Sequence, residues 1–129
     1  MQITLQQLSD GFVSLGKVAS LDLPVKTAYW LKRVAKAAEG EMRQLDEVRV
    51  QLVKKYGAED ESGNIAVKPE NVEAFAAEFN DLLAETIDLP GDGIALDALG
   101  DVKVSAIDLM RLDWLIKDKD EPQAAAAGA

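Results

Sequence analysis

A chain of 129 residues that holds neither cysteine nor histidine and carries a formal net charge of −9 rules out several chemistries at once. Without cysteine there is no disulfide framework and no thiolate metal site. Without histidine the commonest general base and zinc ligand are gone, which leaves proton transfer to Glu, Asp, Lys and Tyr, and the acidic balance opposes general binding to phosphate backbones.

The first predicted element is a short helix. Leu5, Leu8, Phe12, Leu15 and Val18 or Ala19 recur at steps of three and four, which lays one apolar stripe along it. Thr4 and Gln7 have the spacing of a capping box. Gly11 and Gly16 either weaken this helix or let another helix come close. Leu23-Pro24 ends it, because the residue before proline avoids helical angles. The second element is a long helix from Pro24 to Tyr56, roughly 45–50 Å at 1.5 Å per residue. Ala28, Leu31, Ala35, Ala38, Met42, Leu45, Arg49, Leu52 and Tyr56 form a heptad seam with one polar interruption, at Arg49. Ala35 and Ala38 admit a close partner, Gly40 is a candidate bend point, and Lys54 and Lys55 suit the last turn before Gly57.

A third helix is expected over PENVEAFAAEFNDLLAETIDLP. Pro69 opens it, Val72, Phe75, Ala76, Phe79, Leu82, Leu83 and Ile87 form its buried stripe, and Leu89-Pro90-Gly91 closes it. A basic helix followed by an acidic one predicts an antiparallel hairpin, with Phe75 and Phe79 against Leu45, Leu52 and Tyr56. Short strands are predicted at Ile94–Leu96 and Val102–Val104, with Ile65–Val67 able to join them. The last helix is SAIDLMRLDWLIKDK, capped by Ser105. Its stripe is Ile107, Met110 and Trp114, broadened by Leu109, Leu112 and Ile116, and so wide an apolar surface calls for docking.

The acidic stretch YGAEDESGNIAVKPEN raises the question of calcium. With Gly63 at position 6 of a calcium loop, Asp60 and Ser62 fall at positions 3 and 5. Position 1 is then Ala58 and position 12 is Pro69, so two essential oxygen ligands are missing. A turn at Ser62-Gly63-Asn64 leading into a strand at Ile65–Val67 is the expectation.

Charge is unevenly spread. Residues 24–56 carry eight Lys or Arg against four acids, and residues 57–129 carry five against seventeen. Either the two regions pack side by side and offset each other, or one is a partner surface. Lys32, Arg33 and Lys36 with Tyr29 and Trp30 are a basic patch with aromatics on which nucleic acid could stack. The acidic remainder disfavours that, and a packed Trp and Tyr is the commoner arrangement. Glu70, Glu73, Asp81 and Glu85 read as a solvated face and as partners of the basic helix rather than a hydrolytic carboxylate pair. Gly91-Asp92-Gly93 is a turn and matches no phosphate-loop pattern.

The order QITLQQL, LPVKTAYWLKR, a long helix ending KKYG, DESGNIAVKPEN and SAIDLMRLDWLI resembles a family of small phage- and prophage-encoded proteins without assigned activity. The resemblance covers most of residues 2–116. It implies a phage origin and transfers no site residues.

The resulting expectation is a mainly α fold: a long antiparallel helical hairpin, a short N-terminal helix, a small β element and a docked C-terminal helix. One domain spans residues 1–121, followed by a flexible Ala-rich tail at 122–129. The expected function is that of a non-enzymatic phage protein acting through protein–protein contacts in the virion or its assembly. The alternative is an acidic antagonist of a host nucleic-acid-binding or defence protein. Interaction candidates are Trp30, Ala35, Ala38, Met42, Arg49 and Trp114. The partner is a phage or host protein or a second copy, with no cofactor, metal, membrane or small-molecule substrate. No run spans a bilayer and MQITLQQLSDGF lacks a signal peptide's features, so the host cytoplasm is the expected location, with incorporation into the virion as an extension.

Overall fold

The computed structural model describes residues 1–118. The fold is mainly α. The tail expected at 122–129 lies outside the described residues. The first helix, α1, spans Leu5–Ala19 and begins with the predicted capping box. Thr4 Oγ1 accepts from the Gln7 amide at 3.1 Å, and Gln7 Oε1 accepts from the Thr4 amide at 2.9 Å. Those bonds satisfy two groups that a helix start otherwise leaves to water. The second, α2, runs unbroken through Gly40 for 32 residues, Val25–Tyr56. Its buried residues are Thr27, Leu31, Val34, Ala38, Leu45 and Leu52, close to the predicted seam.

Two helices share that seam. A short connection returns α2 along α1, so α1 covers its N-terminal half. The third helix, α3 at Val72–Leu83, covers the C-terminal half. Leu83 packs beside Leu45 while Glu78 meets Lys55 and Tyr56, so α2 and α3 form an antiparallel hairpin. The expected stripe of α3 is only partly realised. Leu83 is buried, Phe75, Phe79 and Leu82 are half-buried, and Val72 is exposed. The Phe75 and Phe79 rings stack on each other at 5.9 Å.

The predicted continuation of α3 through Ile87 is a strand instead. Thr86–Asp88 (β4) pairs antiparallel with Gln2–Thr4 (β1), placing Ile3 opposite Ile87. Each strand has one apolar residue between polar ones, so both send a single side chain inward. The segment after α2 is a β-hairpin: β2, Gly57–Glu59, pairs antiparallel with β3, Ile65–Val67. Asp60 Oδ1 accepts from the amides of Ser62 and Asn64 at 2.8 and 3.0 Å, and Gly63 takes a φ of 85° that favours glycine. The turn is therefore as expected, with one Asp60 oxygen committed to the turn's own backbone.

Ile94–Ala95 (β5) pairs in parallel with Ile116–Lys117 (β6). Val102–Val104 forms no strand, and Ile65–Val67 belongs to the separate hairpin. The last helix, α4, is shorter than predicted and covers only Ala106–Arg111. Leu112, Trp114, Leu115 and Ile116 are all buried, whereas Ile107 and Met110 are exposed. No single helical face can bury four of five consecutive residues, so the chain turns out of the helix to do it.

The main core joins Leu8, Leu15 and Val18 of α1 to Leu31, Val34 and Ala38 of α2 and to Leu99, Leu112 and Leu115. A smaller cluster of Leu5, Leu45 and Leu83 sits between α1, α2 and α3. Gly11 explains how closely α4 docks on α1: a Cβ there would lie 2.6 Å from the Arg111 carbonyl oxygen. Beside it, the buried Ser14 hydroxyl donates to Asp108 Oδ1 at 2.6 Å, with Lys17 Nζ at 3.9 Å. The Ser14 hydrogen bond holds the Asp108 carboxyl below its ordinary range, aided by Ser105, Lys17 and Arg111 and opposed by burial. No helix among the described residues is long and apolar enough to cross a membrane.

Candidate interaction groove

The first turns of α2 bury one face through Thr27, Leu31 and Val34 and leave the others in solvent. Thr27 Oγ1 donates to the Ala98 carbonyl at 2.6 Å, which ties this end of α2 to the 90–100 segment. Between them lies a half-open groove of about 390 Å³. Lys26, Trp30 and Val34 line it on the α2 side, and Pro90, Gly91, Asp92 and Ile94 line the other, with Leu115 at its base. Gly91 has a φ of 85°, and a Cβ on it would sit 3.5 Å from Trp30 Cε3, so the turn lies against the indole ring. The Met1 amino group steadies that turn by donating to the Leu89 and Gly91 carbonyls, each at 2.8 Å.

Trp30 is 41% exposed and Tyr29 55%. Their rings meet edge to face at 5.8 Å, and the Arg33 guanidinium lies 4.8 Å from the Trp30 ring centre. The expected packed Trp–Tyr pair is therefore an open one. Lys26, Lys32, Arg33 and Lys36 are exposed, and none has an ion pair among the described residues. The reason is reach. At 12 residues α3 is roughly 18 Å long, and it accompanies only the far half of α2. The expected charge pairing across the hairpin reduces to Lys55–Glu78 at 3.0 Å. There the Tyr56 hydroxyl, donating to Glu78, is the main cause holding that carboxyl below its ordinary range, with Lys55 second. The Glu78 hydrogen bond raises Lys55 in turn.

The interaction candidates divide accordingly. Ala38 and Trp114 are enclosed in the chain's own core, and Ala35 and Met42 are half-buried against it. Trp114 Nε1 has no hydrogen-bond partner among the described residues. Arg49 is exposed and bonds Asp46 at 2.8 Å along its own helix. Trp30 alone of the six combines exposure with a concave neighbourhood. Sequence reading missed Lys26 and the Pro90–Gly93 wall. The Pro-Gly-Asp-Gly turn signal was present, but nothing in the sequence connected it to Trp30. No protein-family model, curated protein or solved structure matches this chain.

Proposed function

We propose that this chain is a binding protein, not a catalyst, and that it works by seating a protein, from phage or host or a second copy, on the Trp30 groove. The observation that carries this is the exposed Tyr29–Trp30–Arg33 group beside an apolar groove and unpaired bases. Tryptophan, tyrosine and arginine are the residue types that anchor protein interfaces, and a monomer without a partner gains nothing by leaving them in water. The acids considered as a hydrolytic pair favour the same reading, since Glu70, Glu73, Asp81 and Glu85 are all exposed. The phage resemblance supports a role in the virion or its assembly.

A photo-crosslinking residue in place of Tyr29, with Gln51 as a control position, tests the reading in phage-producing cells. A discrete protein adduct from position 29, lost on Trp30→Ala with Arg33→Glu, is the expected result. Position 29 giving no more protein adduct than position 51 would refute it.

A further inference from the structure

The groove's surroundings specify an occupant. Residues 24–38 carry Lys26, Lys32, Arg33 and Lys36 and no acid. At the other end of α2, residues 57–73 carry Glu59, Asp60, Glu61, Glu70 and Glu73 against the single base Lys68. These acids are exposed and form no ion pair among the described residues. Two exposed apolar residues sit among them, Ile65 at 41% and Val72 at 50%. One end thus offers an apolar groove with Lys26 in its lining, Arg33 over its Trp30 wall and two further bases on the same helix turns, and the other an apolar tip edged with anions.

Within one chain these surfaces cannot meet. Lys26 and Tyr56 are 30 helical residues apart on an unbroken α2, about 45 Å at 1.5 Å per residue. Screening at physiological salt acts over about 8 Å, so neither end neutralises the other. Resting on the reading of the groove as a protein-binding face, we infer that its occupant is the acidic β2–β3 tip and α3 start of a second copy. The contact is head to tail: groove and tip are different surfaces, so a joined pair still has one free groove and one free tip, and association builds rings or filaments instead of stopping at a two-fold dimer. Asp92, the acid that lines the groove, opposes an anionic tip and limits the affinity of each contact.

Sedimentation velocity over a concentration series, at low and high salt, is the test. Wild-type protein associates at low salt and dissociates at high salt. A groove variant (Lys26→Glu, Arg33→Glu) and a tip variant (Glu59→Lys, Glu61→Lys, Glu70→Lys) each self-associate at least roughly tenfold more weakly. Their equimolar mixture recovers association, because an acidic groove now meets a basic tip and the two unaltered surfaces also match. Asp92→Asn strengthens association. Unchanged circular dichroism and Tm confirm that the variants are folded. A wild type that is monomeric throughout, or a mixture that stays dissociated, overturns the inference. The position-29 adduct separates the two levels: a different protein in that adduct overturns the second copy and keeps the binding face, while no adduct removes both.

Discussion

The two ends of α2 are built differently. Around its first half, the N-terminal segment, α1 and residues 87–116 converge, and Leu8, Leu15, Leu31, Leu112 and Leu115 lose essentially all contact with water. Around its second half, the buried cluster is three leucines, and α3 and the β2–β3 hairpin keep most of their surface in solvent. The first end is a platform and the second an arm. The groove is cut into the platform, where Thr27, Gly91 and Leu115 hold its walls fixed. The acidic tip is carried on the arm. A rigid receptor and a less constrained projection suit a contact in which one end of the molecule must fit another.

The largest effects should come from the platform. Leu8→Ala or Leu112→Ala should cost about 2–5 kcal/mol in denaturant unfolding, since each leaves a cavity in a close-packed site. Leu83→Ala should cost less than either, because the arm can relax around it. Equal losses would erase the distinction between the two regions. Next come the glycines of α1. Gly11→Ala should destabilise by about 1–3 kcal/mol, since the methyl group is driven onto backbone that α4 cannot easily move. Gly16→Ala, with nothing within 4 Å of the added Cβ, should be neutral or stabilise by up to about 1 kcal/mol.

Hydrogen exchange sharpens the comparison further. Amides of α3 and the hairpin should exchange through local opening, while those of α1 and the first half of α2 exchange only with global unfolding. The smallest effects are in pH dependence. The Asp108 and Glu78 carboxyls have folded-state pKa values below their unfolded ones. Their stabilisation is complete above the unfolded pKa and is lost as pH falls through the folded one. Lys55 is raised, so its contribution is complete below its unfolded pKa and is lost as pH rises through the folded one. Ser14→Ala should flatten the acid limb of a Tm–pH curve through Asp108, and Tyr56→Phe through Glu78. Unaltered acid limbs would show that these hydrogen bonds do not couple to folding.

What could be read from the sequence was local and periodic. The Thr4–Gln7 capping box, the Ser62-Gly63-Asn64 turn and the seam of α2 depend on residues within one or two turns of each other; the first two hold, and the seam holds at Leu31, Ala38, Leu45 and Leu52 but not at the exposed Ala28 and Arg49. The β1–β4 pair joins Ile3 to Ile87 across most of the chain, through strands of three residues with one apolar side chain each. Such strands are too short to show an alternation. In LDWLI the apolar residues are too crowded for one helical face, and that crowding was the available sign that α4 stops at Arg111. The site was half legible. Tyr29, Trp30 and the bases stood out as a patch, but its concavity comes from Pro90–Gly93, some 60 positions away in sequence. Ala38 and Trp114 show the converse limit: an apolar pattern marks a residue for burial without saying whether its own chain or another buries it.

The most direct measurement is mass spectrometry of the adduct formed when purified, concentrated protein with a photo-crosslinker at position 29 is irradiated. Head-to-tail contact yields a species of twice the chain mass whose linked peptide falls within residues 57–73. A linked peptide from α1 or α4, or no dimeric adduct, would contradict it.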